Sequence, residues 1–378
     1  MNLLLTEEQQ LIQATAQEFA EKELEPKAIK TDLEGIFPED TLKKLAELDM
    51  MGIPYPEEYG GGGADMVSYA LVLQELAKVC ASTALVVAAH TMVAGPIIHF
   101  GSPELSKKYA PLLNTYKALG AFALTEASAG SDAGALMTSA VLDGDEYVIN
   151  GTKTFITNGD KADVLVLFVR TGPDKGNNGL SAFVVDKRQS EFTAGNHEDK
   201  MGIRGSHTTE LIFKNCRVPK ENLIGKEGDG FKIALHTLTK GRIGIASQAV
   251  GIIRACLEES VRYSKERHQF GKPIAANQAI QWMIADMAKD ATAGNLLVTH
   301  AATLCDQGKH FAQEASMAKL FAGEAAMHHA SKAVQIHGGY GYVRGCKVER
   351  LFRDAKIMEI FEGTNEVHRM IISSNLLR

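Results

Sequence analysis

The hydrophobic period changes twice along the chain, and that double change limits the fold more than any other feature. Up to about residue 120 apolar residues recur at helical spacing; from 121 to about 228 short β-branched runs alternate with turn pairs; from 229 to 378 the spacing is helical again. Thr6 and Gln9 have capping-box spacing, and Ile12, Ala16, Phe19, Ala20 and Leu24 follow at helical period until Pro26, where a first helix is expected to end. The most apolar stretch, Ala84 to Ile98, carries His90 and Thr91 in its middle and closes on Gly95-Pro96. It falls short of the roughly 20 apolar residues that span a bilayer, so it reads as a buried core helix with no membrane insertion.

Asp143-Gly144 and Asn150-Gly151 are hairpin signals around Tyr147 to Ile149, and Val164 to Val169, Leu180 to Val185 and Glu210 to Phe213 continue the strands. With no helical pattern between them they indicate an antiparallel sheet that ends near Pro219 to Gly230. Helical stretches up to Arg267, from Asn277 to Leu304 and from Ala312 to His337 then imply a bundle, broken by Gly338-Gly339-Tyr340-Gly341. The expected fold is α+β: an N-terminal helical domain (1–120), a central antiparallel β domain (121–228) and a C-terminal four-helix-bundle domain (229–378).

Charge and motifs remove several function classes. With 40 Lys and Arg against 46 Asp and Glu, the net charge of −6 leaves no broad basic face for nucleic acid. The five cysteines, Cys80, Cys216, Cys256, Cys305 and Cys346, are widely spaced and never in C-x-x-C, so they read as reduced thiols rather than a disulfide framework or thiolate metal site. MNLLLTEEQQ has no basic n-region, and a cytoplasmic location is expected. Gly225-Lys226, Gly271-Lys272 and Gly308-Lys309 all lack the upstream glycine of a phosphate-binding loop. The glycine clusters at Gly60 and Gly338 sit between helical stretches, unlike a Rossmann fingerprint. Gly179-Leu180-Ser181-Ala182-Phe183 misses a nucleophile elbow by its last residue, there is no H-E-x-x-H, and the adjacent His328 and His329 diverge on a helix. No metal site is expected.

Four segments carry a positive signal: Leu124-Thr125-Glu126-Ala127-Ser128-Ala129-Gly130-Ser131-Asp132, Phe155-Ile156-Thr157-Asn158-Gly159, Arg267-His268-Gln269-Phe270-Gly271 and Phe361-Glu362-Gly363-Thr364-Asn365-Glu366. Each alone is weak. In this order, inside a helix, β, helix layout, they resemble the acyl-CoA dehydrogenase family over essentially the whole chain, with the bacterial short-chain, butyryl type nearest.

The resemblance implies noncovalent FAD and removal of an α-proton and a β-hydride from an acyl-CoA thioester to give the trans-2-enoyl-CoA. Such chemistry needs a base on one face of the Cα–Cβ bond and a hydride acceptor on the other. By resemblance the base is Glu362, whose pKa an apolar pocket would raise toward neutrality. The competing reading, a glutamate beside a final helix capped by Thr364, has the right local grammar. Other branches of the family carry the base at the position of Gly241; here that position is glycine, so Glu362 is the sole candidate and Arg242 an orienting residue.

Further site residues follow from the same resemblance. Phe122, Leu124, Thr125, Gly130 and Ser131 are expected along the flavin ring and pyrophosphate, with Phe155, Ile156 and Thr157 beside the ring and Thr157 near N5. Arg267, Gln278, Gln335, Gly338 and Gly339 are expected to reach the FAD of a neighbouring subunit, implying a homotetramer, and Thr364 and Glu366 complete the cofactor contacts. The CoA ester is expected near Ser131, Thr239, Arg242 and Gly363, its thioester oxygen held by a backbone N–H at Glu362 and a flavin hydroxyl. Three positions depart from the family pattern: Ala127 for Pro, Thr239 for an acidic residue and Phe361 for Tyr, which bear on acyl specificity. The implied partners are an acyl-CoA or enoyl-CoA and an electron-transferring flavoprotein. The same site run in reverse would be a 2-enoyl-CoA reductase of crotonyl, acryloyl or caffeoyl type in an NADH-linked, electron-bifurcating complex. Acyl-CoA oxidases are typically longer, and retention of Glu362 argues against a noncatalytic scaffold.

Overall fold

Because the helical segments have apolar faces too wide for single amphipathic helices on a surface, they must bury against one another. The computed structural model, which describes residues 5–172 and 176–377, shows how. The opening Met1 to Leu4 of the N-terminal reading lie outside the described residues. Thr6 caps α1 (Glu7–Phe19) in a complete capping box with Gln9. The helix does not stop at Pro26. A wider π turn over Ala20–Leu24 leads into α2 (Glu25–Glu34), where Pro26 sits in the first turn and its missing N–H costs little; Gly35, at φ 65°, ends the run.

Next come α3 (Glu39–Ala46), α4 (Met66–Val79), α5 (Ala81–Phe100) and α6 (Pro103–Asn114). Every residue of α4 is buried. The apolar α5 is long enough by length and composition to cross a membrane, but 78% of its most apolar window is buried inside the protein. It also runs through Gly95-Pro96 to Phe100, beyond the expected closure, because packing on both sides outweighs the lost backbone bond at Pro96.

The central sheet comprises β1 (Gly120–Ala123), β2 (Ser139–Asp143), β3 (Glu146–Thr157), β4 (Val164–Arg170), β5 (Leu180–Asp186), β6 (Thr193–His197), β7 (Thr208–Pro219) and β8 (Leu223–Ile224), in the order β6-β7-β3-β2-β4-β5-β8 with β1 beside β4. Gly144, at φ 66°, makes the expected hairpin between β2 and β3. Asn150-Gly151 is not a second turn: it is a register shift inside β3, where Gly151 packs on Thr138 too closely for any Cβ. Nor is the sheet wholly antiparallel, since β1 runs parallel to β4 along its whole length and β2 meets β4 in one parallel pair. The sequence hides this because β1 enters from α6 rather than from a hairpin.

After Asp229 come α7 (Gly230–Glu266), the two-residue strands β9 (His268–Gln269) and β10 (Lys272–Pro273), α8 (Gln278–Asp306), α9 (Ala312–His337), α10 (Lys347–Lys356) and α11 (Asn365–Leu376). The 37-residue α7 packs on α4 and α5 as well as α8 and α9. One core therefore runs from Leu73 and Ala77 through Ile243 and Ala246 to Ala318 and Ala322, joining both helical domains. The fold is α+β: an N-terminal helical domain, a central β domain and a C-terminal helical domain.

A buried ion pair anchors the loop after β1. Lys153, fully buried on β3, donates to Glu126 (2.8 Å) and to the Leu124 carbonyl (3.0 Å), while Glu126 accepts from the backbone N–H groups of Met137 and Thr138. Burial pushes the Lys153 amine down to about 8 against the pull of Glu126. Lys153→Met leaves Glu126 buried with no cation and is expected to cost about 3–5 kcal/mol, read as a lowered midpoint in thermal or urea unfolding.

Candidate active site

Two of the motif segments hold residues with left-handed backbone. Glu362 (φ 53°) and Gly363 (φ 97°) form a left-handed corner between the end of α10 and α11, and Phe155 (φ 55°) bulges from β3. Gly363 is required there: besides its φ, a Cβ would meet the His368 ring at 3.2 Å. Thr364 caps α11 by accepting from the Val367 N–H, as the competing reading of this motif expected; Glu362 itself lies before the cap and is free to point elsewhere.

It points at α7. A Cβ on Gly241 would lie 2.8 Å from Glu362 Oε2 and 3.1 Å from Met92 of α5, so the glycine leaves the volume the carboxylate occupies. Oε2 is buried with no hydrogen-bond partner. Burial pushes the carboxyl up to about 7, with Arg242 and Lys319 pulling the other way. Arg242 is itself buried, with Nε unpartnered. The remaining wall is Tyr69 and Leu73 of α4, each 3.2 Å from a Cβ placed on Gly244. A carboxyl of this kind, with one oxygen buried and unpartnered and its pKa raised toward neutrality, can accept a proton from a carbon acid placed beside it.

Sequence reasoning did not single out Lys319 or His368. Lys319, fully buried on α9, donates to the Gly363 carbonyl (2.7 Å) and to Asn365 Oδ1 (3.3 Å), fixing the corner that carries Glu362. Its amine is pushed down to about 8 by burial. His368 is fully buried with both ring nitrogens unpartnered, and burial, reinforced by Lys319 and Arg242, pushes it down to about 3, so the ring is neutral. The only signal was a lysine and a histidine on buried helix faces, which in sequence look like core-edge residues.

A second set of residues gathers at the start of the sheet. Phe122 lies on β1, its ring 4.9 Å from Phe168, and the Thr125 carbonyl accepts from the Thr154 N–H (2.9 Å). That bond, with the one from Lys153 to the Leu124 carbonyl, sets Leu124 and Thr125 beside Lys153 and Thr154, next to Phe155 in the chain. Phe155 is 63% exposed and Ile156 buried, and the hydroxyl of Thr154 is buried without a partner. Gly130 has open space around its Cα, and Ser131 is exposed beside it. Exposed aromatic surface, hydroxyls and free backbone at one sheet end match what a flavin edge and pyrophosphate accept.

Arg267, Gln278, Gln335, Gly338 and Gly339 are not brought to Glu362. Arg267 follows Arg242 by 25 residues along α7, about 37 Å at the helical rise. With Gly338 and Gly339 it lines a separate cavity of about 490 Å³ that also contains His337 and Tyr340. Gln278 starts α8, and Gln335 is exposed near the end of α9. Thr239 bonds back to the Leu235 carbonyl, and Glu366 is exposed on α11.

A carboxyl with a raised pKa thus faces a glycine on α7. Models of the N-terminal, middle and C-terminal domains of acyl-CoA dehydrogenases match residues 6–117, 121–216 and 228–377. The chain belongs to the acyl-CoA dehydrogenase family. An acyl-CoA dehydrogenase of Bacillus subtilis is 51% identical over 99% of both chains. An acryloyl-CoA reductase (NADH) of Anaerotignum propionicum is 48% identical over 100% of this chain and 96% of its own. Among solved structures, a chain described under "Electron transferring flavoprotein of Acidaminococcus fermentans: Towards a mechanism of flavin-based electron bifurcation" superposes with a TM-score of 0.98 at 49% identity, covering 100% of both. This acyl-CoA dehydrogenase is thus an oxidoreductase acting on CH–CH groups, and its cofactor is FAD.

Two outcomes follow from the corner. The raised Glu362 pKa means the folded state prefers the protonated form, so this contribution to stability is present below about 4.5 and is lost as pH rises through about 7. Glu362→Gln is therefore expected to unfold at a higher temperature than the parent above pH 7, by up to about 3 kcal/mol, and to show no gain in acid. Lys319→Met, losing a buried charge-assisted bond, is expected to lower the unfolding free energy by about 1.5–3 kcal/mol, read as a lower unfolding midpoint at all these pH values.

Proposed function

We propose that this protein dehydrogenates a short-chain acyl-CoA at Cα–Cβ, giving the trans-2-enoyl-CoA, and exchanges the electrons with an electron-transferring flavoprotein. The observation that carries the reading is the Glu362 carboxyl, its Oε2 buried without a partner, its pKa raised to about 7, lodged in the space left by Gly241. In this mechanism Glu362 takes the α-proton of the thioester. Arg242 lies beside it and favours its ionised form, and Lys319 holds the Gly363 carbonyl so that the carboxylate keeps its aim. Phe122 to Ser131 and Phe155 to Thr157 would hold FAD, which would supply the acceptor for the β-hydride. Met92, Tyr69 and Leu73 crowd the α7 face at Gly241 and Gly244, which favours a compact acyl chain.

The reverse reading, a 2-enoyl-CoA reductase of crotonyl, acryloyl or caffeoyl type in an NADH-linked and bifurcating assembly, is favoured by the likeness to an acryloyl-CoA reductase (NADH) and to the chain from the flavoprotein study. The reading includes a homotetramer: Phe270 (96% exposed), Tyr342 and Tyr340 are apolar surface around the cavity of Arg267 and Gly338, which a neighbouring subunit and its FAD would cover. Five free cysteines suit a reducing cytoplasm.

Anaerobic titration with butyryl-CoA is expected to bleach the flavin absorbance rapidly. No bleaching with butyryl-CoA, but reoxidation of the chemically reduced enzyme by acryloyl- or crotonyl-CoA, would favour the reductase direction; neither response would overturn both. With Glu362 as base, kcat/KM is expected to fall as pH drops through about 7, and Glu362→Gln to lose at least about a hundredfold in turnover.

A further inference from the structure

At the β6 edge of the sheet, two histidines share one carboxylate. Asp160 lies in the turn after β3, His197 ends β6 and His207 immediately precedes β7. Strand pairing fixes all three: β7 runs between β3 and β6, with Thr208 opposite Thr157 and His197 opposite Thr209. The Asn158 N–H donates to the His207 carbonyl (3.0 Å), closing the turn that carries Asp160. Asp160 Oδ2 lies 2.8 Å from His207 Nδ1 and 3.3 Å from His197 Nε2, and the three ligand atoms lie within 4.8 Å of one another. Among the described residues this is the one group of three or more such ligands so placed.

We propose that Asp160, His197 and His207 bind a divalent zinc-type cation. Such an ion takes imidazole nitrogen and carboxylate oxygen at about 2.0–2.2 Å in a tetrahedron, which sets neighbouring ligand atoms a little over 3 Å apart. The 3.3 Å separation already matches, and the 2.8 Å one opens with a small turn of the Asp160 carboxylate. Two further observations point to a cation. His207 Nε2 faces the Gly35 carbonyl at 3.3 Å, the outer contact by which a metal-bound imidazole is oriented and its other nitrogen left free to ligate. Both of its nitrogens thus face acceptors, an arrangement met either by an imidazolium that donates to both or by a ring that carries a cation on its Nδ1 side. Asp160 Oδ1, meanwhile, is buried without a partner, leaving the carboxylate with unused capacity.

The fourth position is open. His197 is half exposed, and with His207 it lines a cavity of about 200 Å³ that admits water or a small anion. The cations lining that cavity are already engaged: Arg204 pairs with Asp199 (2.8 Å) and Lys200 donates to the Ser206 carbonyl (2.7 Å). Bound there, the ion would tie the ends of β6 and β7 to the turn after Thr157 and, through Gly35, to the N-terminal helices. The site stands apart from the flavin reading and does not depend on it.

The test uses the FAD-loaded full chain, stripped with EDTA, desalted and dialysed against Zn²⁺ buffered by nitrilotriacetate, with bound zinc read by atomic absorption and thermal unfolding followed in parallel. One zinc per chain and a raised unfolding temperature are expected. Both should vanish in His197→Ala, whose half-exposed side chain can be removed without opening the core, and in Asp160→Asn. All five cysteines remain in both variants, so zinc held by thiols would persist and is subtracted. Wild type that binds no more zinc than His197→Ala, or that gains no thermal stability where the variants gain none, overturns the proposal.

Discussion

A carboxyl group with one oxygen buried and unpartnered, near two buried cations, is the constraint on which the rest of this structure hangs. Isolated, Glu362 would be driven to its neutral form; with Arg242 on α7 and Lys319 on α9 it settles near neutrality instead. Three elements must therefore meet at one point to within an ångström or so. The long α7, pressed against α4 and α5 on one side and α8 and α9 on the other, supplies the fixed wall. Gly241 supplies the space. The corner at Glu362 and Gly363 accepts a left-handed backbone because Lys319 binds its carbonyl and the Thr364 cap starts α11 directly afterwards.

The sheet side of the site is held by the same device in a different place. Lys153 and Glu126 are buried charges whose hydrogen bonds reach the Leu124 carbonyl and the Met137 and Thr138 amides, so the loop after β1 is tied to the strand that carries Phe155 and Thr157. Strand pairing would fix β3 but not that loop. The ion pair ties a surface loop to the sheet at fixed backbone positions, the rigidity that the proposed flavin contacts would require.

Much of this was legible in the chain. The helix, β, helix succession, the Thr6 capping box, the Asp143-Gly144 hairpin, the bounds of α9 and the Thr364 cap all rest on short-range rules, and local physics decides them. Pro26 and Pro96 misled because proline's cost depends on its place in a turn and on what packs around it: α2 takes Pro26 in its first turn, and α5 is held through Pro96 by its neighbours. Asn150-Gly151 carries hairpin chemistry but lies mid-strand, where Gly151 serves close approach to Thr138. The parallel β1 escaped notice because strand direction is set by how the chain enters the sheet.

The sequence by itself determined the order of the layers and the family, since these are written in period and motif, and it singled out Glu362 through the family resemblance and the glycine at 241. Only the tertiary structure decided what surrounds that carboxylate. Lys319 lies 43 residues before Glu362 and Lys153 27 after Glu126, and neither separation has a period that marks a contact. Asp160, His197 and His207 likewise share no motif. Charges become partners when burial removes water from between them, and burial is a property of the packed core, which no local stretch of sequence contains.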